Sequence, residues 1–370
     1  MNFEPTEQQR LLAESAMRLA TGPLGFDQRR HFFVPGTPVE ENWAVIAELG
    51  VPGLLVDEDN GGLGAGFQDM AAVLEAFGRG LVVEPVIPTA IAAVSVLDEL
   101  GSAAQQARWL QPLAAGQLRA ALAWTEPQSR YRLDAVEARA ERSRDGFVLT
   151  GAKALVLGGD RAGLLIVPAR LDGGIALFLV PAGAEGMTVT PYRLLDLRGA
   201  ADLRLDRVAL PADALLRGDA RAALERAVDR VTAALCIEAV GAMTVLHELT
   251  LEQLRTRIVF DRKLGNFQVP QHRLVDMIVA TELARSLALL AADAADRTDP
   301  AERVRAISAA KVQVGRSARL VGEQAVQLHG AMGITLEHAS GAYHKKLTVI
   351  DHLCGDIEHH LERFADASAY

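Results

Sequence analysis

Cysteine is almost missing from this chain of 370 residues, which holds only Cys236 and Cys354. Two thiols make no disulfide framework, so a reducing cytoplasm is the expected compartment. No run approaches the 18 or so consecutive apolar residues that span a bilayer. The opening MNFEPTEQQR is polar and lacks the basic-then-apolar order of a secretory signal. A cationic block is lacking too. The formal net charge of −9 is spread along the chain, which argues against nucleic acid, whose phosphates call for clustered Lys and Arg. A small anionic ligand, needing only a local positive site, stays compatible. Repeats are absent, and alanine richness is the only compositional bias. Half of the residues are hydrophobic, ample for a large core in one multi-layer enzyme or two to three sub-domains.

The texture changes twice. Residues 1–118 are rich in Ala and Leu at helical spacing, broken by Gly/Pro clusters at Thr21–Gly25, Asn60–Gly66 and Glu84–Pro88. Within residues 119–216 the apolar runs shorten. Phe147–Leu149, Leu164–Val167 and Ala176–Val180 are bounded by Asp-Gly, Gly-Gly and Pro-Ala-Gly, the pattern of strands joined by tight turns. Helical texture returns over 217–370. Its clearest helix opens at Asp299-Pro300-Ala301-Glu302, with an Asp cap, Pro at the first helical position and Glu three residues past the cap. Val304, Ile307, Val314, Ala318, Val321, Ala325 and Leu328 follow at three- and four-residue steps, Lys311 alone interrupts the stripe, and Gly330 is the expected stop. A seam that long needs neighbouring helices, hence a bundle.

Four motifs then fall in one order. Thr125-Glu126-Pro127 stands at the entrance to the β region and Gly151-Ala152-Lys153 follows its first clear strand. Thr256–Phe260 with Gly265–Gln268 lies between two helices, and Gln327–Thr335 ends the long one. Together they resemble the acyl-CoA dehydrogenase family over essentially the whole chain. The ending, Tyr343–Thr348, Gly355-Asp356 and His359–Leu361, looks closest to the small subunits of two-component enzymes such as pimeloyl-CoA dehydrogenase. The resemblance implies an α+β fold with an N-terminal α domain, a middle β-barrel domain and a C-terminal four-helix bundle. It also implies FAD, an acyl-CoA substrate and an electron-transferring flavoprotein as partner. In that family a carboxylate takes a proton from Cα of the thioester while a hydride leaves Cβ for flavin N5, and hydrogen bonds to the thioester oxygen acidify Cα. Each FAD spans two subunits of a dimer, or of a dimer of dimers.

Carried over position by position, Arg257 matches the arginine that meets the neighbour's pyrophosphate, where a forked, permanently charged donor suits two phosphate oxygens. Phe260 matches an aromatic packed on the cofactor, Gln268 another position of the motif, and Gln327 with Gly330 the turn that lets backbone approach the phosphates. Departures are Asp261 for a glycine, Lys263 for a proline and Ala331 for the second glycine. The isoalloxazine side differs more. Thr125 survives, but the glycine–serine–aspartate becomes Arg130-Tyr131-Arg132, the tryptophan becomes Leu155, and the threonine reaching flavin N5 becomes Leu157, which cannot donate that hydrogen bond.

The catalytic residue is the sharpest departure. Cys354 occupies the usual glutamate position, and a thiol with an ordinary pKa is mostly protonated at neutral pH. The family's alternative base position falls on Val231, with Asp229 and Glu238 nearby; Asp351 and Asp356 flank Cys354. Asp229 and Asp351 are therefore the candidates for a relocated base, although a two-residue shift turns a side chain about 200° around a helix. No metal is expected, since His352, Glu358, His359 and His360 lack ligand-pair spacing. Asn60–Gly66 is expected as a turn between helices rather than a phosphate loop. Arg130 and Arg132 are open to a phosphate, a distal carboxylate or plain solvent. The groups that would act on a partner's flavin are largely kept, and those for the chain's own flavin are replaced together. A subunit without its own base, completing the FAD site of a same-fold partner, is the leading expectation. The alternatives are a self-sufficient homodimer or homotetramer with a relocated carboxylate, and a flavin-free structural or regulatory protein.

Overall fold

A computed structural model describes residues 5–34, 36–39 and 41–368. Met1–Glu4, part of the polar opening, lie outside the described residues. The helices of the first layer are α1 (Glu7–Thr21), α2 (Phe26–Arg29), α3 (Trp43–Glu48), α4 (Phe67–Arg79), α5 (Val94–Leu100) and α6 (Ala103–Ala114). A π-helical turn, Ile87–Ala93, runs into α5. Thr6 and Ser102 cap α1 and α6 by capping boxes with Gln9 and Gln105. Asn60–Gly66 is a loop leading into α4, as the glycine run predicts.

The middle layer holds β1 (Ala120–Leu122), β2 (Arg139–Ser143), β3 (Gly146–Leu157), β4 (Leu164–Leu171), β5 (Gly174–Pro181), β6 (Met187–Arg193), β7 (Gly199–Pro211) and β8 (Leu215–Leu216). They form one mixed sheet in the order β6-β7-β3-β2-β4-β5-β8, with β1 paired parallel to β4. The sheet wraps its own core, where Phe147, Leu149, Leu165, Val167, Phe178 and Leu203 are buried.

The third layer begins with α7 (Ala220–Thr256), followed by a hairpin of β9 (Ile258–Val259) and β10 (Arg262–Lys263). Then come α8 (Gln268–Ala294), α9 (Pro300–His329), α10 (Ala339–His352) and α11 (Ile357–Ser368). Helix α7 exceeds what the residue runs suggest: by length and composition it could cross a membrane. Its most apolar window is 67% buried inside the protein, because the other layers pack around it. Helix α9 opens as its cap predicts, with the Asp299 carboxylate accepting from Ala301 and Glu302 backbone N–H groups. Lys311, the break in its apolar stripe, is buried and donates to the carbonyl oxygens of Asp351 and Gly355, at 2.9 and 2.5 Å. The charge therefore serves the end of α10 and the loop after it.

Helices α4 and α7 cross almost backbone to backbone. A methyl group on Gly78 would overlap the Glu238 carbonyl, and one on Gly241 the Glu75 carbonyl. Gly241→Ala should lower stability by about 1–3 kcal/mol through overpacking, although alanine favours a helix by about 1 kcal/mol over glycine. The measurement is the urea midpoint, and an unchanged midpoint would show that the two helices part freely.

Candidate functional site

The structure gathers the replaced positions. Thr125, Leu155, Leu157, Val231 and Cys354 all line one cavity, completed by Ile87, Pro88, Ala92, Leu122, Trp124, Val228 and Leu353. Each layer contributes: the π-helical turn, the strand segment after β1, the end of β3, α7, and the loop between α10 and α11. The cavity holds about 40 Å3, far below the roughly 300–1,000 Å3 of small-ligand pockets. No carboxylate lines it. Leu155 has a positive φ of 51° and its N–H donates to Asp202 at 3.0 Å, so the β3 strand turns at that point.

Cys354 is 9% exposed, and burial pushes its thiol up to about 11. At neutral pH it carries a proton and makes a poor base. Its backbone also adopts a positive φ of 58°, held by Lys311 on the Gly355 carbonyl and by His360, whose Nε2 lies 3.1 Å from the Cys354 carbonyl oxygen. The other thiol, Cys236, is buried as well, and burial raises it to about 12.

The carboxylates considered for a relocated base are all engaged. Asp229 is fully buried on α7 and ion-paired with Arg303 at 2.9 Å and Arg363 at 2.7 Å. Asp351 pairs with Arg319 at 2.7 Å. Glu238 pairs with Arg198 at 2.8 Å and Lys346 at 2.7 Å; burial would raise its pKa, and those two cations more than offset that, leaving it lowered. None of the three lines the cavity beside Cys354.

A further ion pair lies in the motifs themselves. Lys153 donates to Glu126 at 2.7 Å, both side chains being almost fully buried, and the same carboxylate accepts the N–H groups of Glu137 and Ala138. Glu126 thus fixes the strand turn that carries Thr125, and the Ala154 N–H donates to the Thr125 carbonyl at 3.0 Å. Two charged residues beside apolar strand runs were the available signal for this pair. Nothing in the residue pattern marks Ile87, Pro88 or Val228 as cavity walls.

The neighbour-facing residues behave differently. Arg257 follows α7 directly, is exposed, and forms no side-chain ion pair or hydrogen bond among the described residues. Ile258–Lys263 and Val259–Arg262 pair across the hairpin, whose turn residues Phe260 and Asp261 have φ of 51° and 59°. That is the two-residue turn with both φ positive, and Asp tolerates it better than most residues. Phe260 stands at its tip, 87% exposed. Gln268 opens α8. Arg273 donates to Gln324 at 2.9 Å and Ser317 to the Ala280 carbonyl at 2.8 Å, an antiparallel register that places Gln268 level with His329. Gln327 and Gly330, both exposed, therefore share this end of the bundle with Arg257, Phe260 and Gln268. Gly330 has φ of 64° and open space around it.

Outside these two clusters, Arg132 pairs with Asp134 at 3.0 Å on the surface, and Tyr131 packs on His359 with ring centroids 5.2 Å apart. His360 is buried against Ser308 and the Cys354 carbonyl.

A helical layer, a mixed sheet and a helical bundle in this order form the architecture of the flavin-dependent acyl-thioester dehydrogenases. Family models agree along the chain: the acyl-CoA dehydrogenase N-terminal domain matches residues 6–117, the middle domain 121–208 and the C-terminal domain 221–369. The chain belongs to the acyl-CoA dehydrogenase family, whose members are FAD-dependent oxidoreductases. Acyl-CoA dehydrogenase FadE12 of Mycobacterium tuberculosis is 29% identical over 320 residues, 82% of this chain and 81% of that protein. The Tcur3481–Tcur3483 steroid ACAD superposes with a TM-score of 0.87 at 28% identity, covering 98% and 97% of the two chains. The ChsE4–ChsE5 complex of Mycobacterium tuberculosis gives 0.89 at 24% identity, covering all of both chains.

Fit to FAD divides the molecule. The exposed cluster at the bundle end suits an adenine and pyrophosphate, with a free guanidinium, a bare aromatic ring and a glycine turn. The interior cavity does not suit an isoalloxazine ring, being too small and lined by leucines where hydrogen-bond donors belong.

The His360 imidazole lies well below its ordinary value of 6.5, chiefly through burial and then through the Lys311 and Arg363 charges. With the folded value below the unfolded one, the unfolded chain takes up the proton first as pH falls. Stability should hold above about pH 7 and drop below about 6.5. His360→Asn should flatten part of that drop in urea unfolding, and an identical pH profile would show that His360 contributes nothing to it.

Proposed function

We propose that this chain is a subunit of an FAD-dependent acyl-CoA dehydrogenase that lacks its own base and completes the FAD site of a same-fold partner. The carrying observation is the contrast between two clusters. Thr125, Leu155, Leu157, Val231 and Cys354 close around about 40 Å3 without a carboxylate, while Arg257, Phe260, Gln268, Gln327 and Gly330 stand exposed at one end of the bundle. The reaction served is α,β-desaturation of an acyl-CoA thioester, with electrons passing on to an electron-transferring flavoprotein. Bound FAD would supply the hydride acceptor. In this chain Arg257 would hold the pyrophosphate through two forked N–H donors, Phe260 would cover the adenine half, and the Gln327–Gly330 turn would let backbone N–H groups approach phosphate. The partner would contribute the isoalloxazine bay and the glutamate.

An oligomeric face supports this reading. On α8, Val275, Ile278, Val279 and Leu283 are exposed at i, i+3, i+4 and i+8, the spacing of a helix-docking stripe. Ile258 and Ile334 extend apolar surface toward the hairpin end, at 65% and 73% exposure. Solitary, such a surface favours association. Domains of 1–118, 119–216 and 217–370 and a cytoplasmic setting, where both thiols stay reduced, belong to the same proposal.

The experiment is flavin absorbance and stoichiometry of the purified chain, alone and mixed with a same-fold partner. The chain alone should be nearly colourless and the mixture should retain FAD. A charged hydrogen bond contributes about 1.5–3 kcal/mol, so Arg257→Ala should weaken FAD retention of the mixture by roughly 10- to 100-fold without moving the melting temperature of the isolated chain. A yellow isolated chain with one FAD per subunit, reducing a dye with acyl-CoA, would instead establish a self-sufficient homomer. If no partner restores FAD binding, the chain is a flavin-free member of the fold.

A further inference from the structure

Another large space lies away from the site described above. Between α1, α4, α7 and α8 a cleft of about 570 Å3 opens, within the range of small-molecule sites. It stays open because its walls are alanines, Ala13 on α1 and Ala71, Ala72 and Ala76 on α4. Ile237 of α7, Leu289 of α8 and Met17 form an apolar floor. Two charged side chains stand at its rim. Glu75 is already paired with Arg285 at 2.5 Å, whereas Arg10 forms no ion pair among the described residues. The Gln9 side-chain oxygen is likewise spent, accepting the Thr6 N–H at 3.0 Å. Among the described residues, a trough with apolar walls and floor thus ends at a guanidinium that forms no ion pair.

We propose that this cleft binds an amphipathic monoanion, an unbranched aliphatic chain ending in a carboxylate. The chain would lie between the alanine walls, where apolar burial drives binding in proportion to area. The carboxylate would meet the Arg10 fork, whose planar donors match it. Thr6, Gln9 and Gln68 also line the cleft, but the alanine walls and the Met17, Ile237 and Leu289 floor offer no hydrogen-bonding group, so a polar or hydroxylated body lying on them would leave buried polar groups without partners, at a cost in free energy. A cationic head would face Arg10 and be rejected. This site is independent of the flavin reading and lies at Leu289, near the far end of α8 from the Gln268 that belongs to the Arg257 cluster.

The test is calorimetric titration of the full chain with dodecanoate below its micelle concentration, with dodecyltrimethylammonium as the size-matched cation. Dodecanoate should bind saturably at one site and the cation should not. Ala72→Trp, which fills the trough, should abolish binding. Arg10→Gln, an exposed change that leaves the core untouched, should weaken it about tenfold, and Arg10→Lys should restore most of the loss. Absent saturable binding, equal binding of the cation, or an affinity unmoved by both Ala72→Trp and Arg10→Gln would each overturn the proposal. Arg10→Gln and Arg10→Lys keep the test decisive should Ala72→Trp fail to fold.

Discussion

One buried carboxylate ties the three layers together. Glu238 sits on α7 where α4 crosses it, and receives Arg198 from the segment before β7 and Lys346 from α10. Lys346 also donates to the Val82 carbonyl of the first layer, at 3.2 Å. Arg198 is shared with Asp196 at 2.7 Å. A carboxylate removed from water is costly unless paired and hydrogen-bonded. Here the pairing partners come from the middle and third layers, and Lys346 carries the link on to the first, so the full set of bonds forms only when all three are docked. The interior site lies next to this joint, and the wall beyond Leu157 is built from Glu238, Arg198, Glu84 and Glu41. Glu41 and Glu84 are themselves tied to Arg193, Arg119 and Arg29. The ion network therefore sets the distance between the first layer and the sheet, and with it the width of the space where Leu155 and Leu157 lie.

The same logic governs the loop after α10. Cys354 has a left-handed backbone, which a bulky residue adopts only when its surroundings dictate it. Lys311 and His360 do so from two other helices, through carbonyl oxygens rather than side chains. Such backbone anchoring is indifferent to the residue carried, so the position keeps its place whatever side chain stands there.

Much of this was readable in the residues, and the reason varies by element. Asp299-Pro300 and Gly330 announce α9 because caps are local chemistry, satisfied by neighbours in sequence. Strands β3, β4 and β5 are marked by apolar runs between turn residues, since they face the sheet's own core. Strand β7 is less conspicuous, because Asp202, Arg204 and Asp206 alternate with buried Leu203 and Leu205, and that period of two is easily missed among charges. The partners of the buried Asp229 and Asp351 were invisible. Their arginines, Arg303, Arg363 and Arg319, lie far away in sequence, and only packing brings them together. Counting along the motif located Cys354, Val231, Leu155 and Leu157 at one cavity without any knowledge of contacts, because a motif carries the register of its fold.

The asymmetry between the two clusters has an energetic basis. On the proposed reading, a flavin bay and an unpaired catalytic carboxylate would be expensive features in a chain that does not use them: one is a void in a close-packed interior, the other a charge held out of water. Leucines that fill the space at 155 and 157, and at 354 a thiol that stays neutral, would relieve both. No such pressure acts on Arg257 or Gln327. They are solvated, contribute little to folding, and their loss would gain nothing. Interior chemistry without use is thus removed by stability alone, whereas exposed chemistry persists only where something outside the chain rewards it. An unpaired arginine beside a bare phenylalanine on a strained two-residue turn is a poor outcome for stability by itself, and on the proposed reading the reward is a cofactor held jointly with another chain.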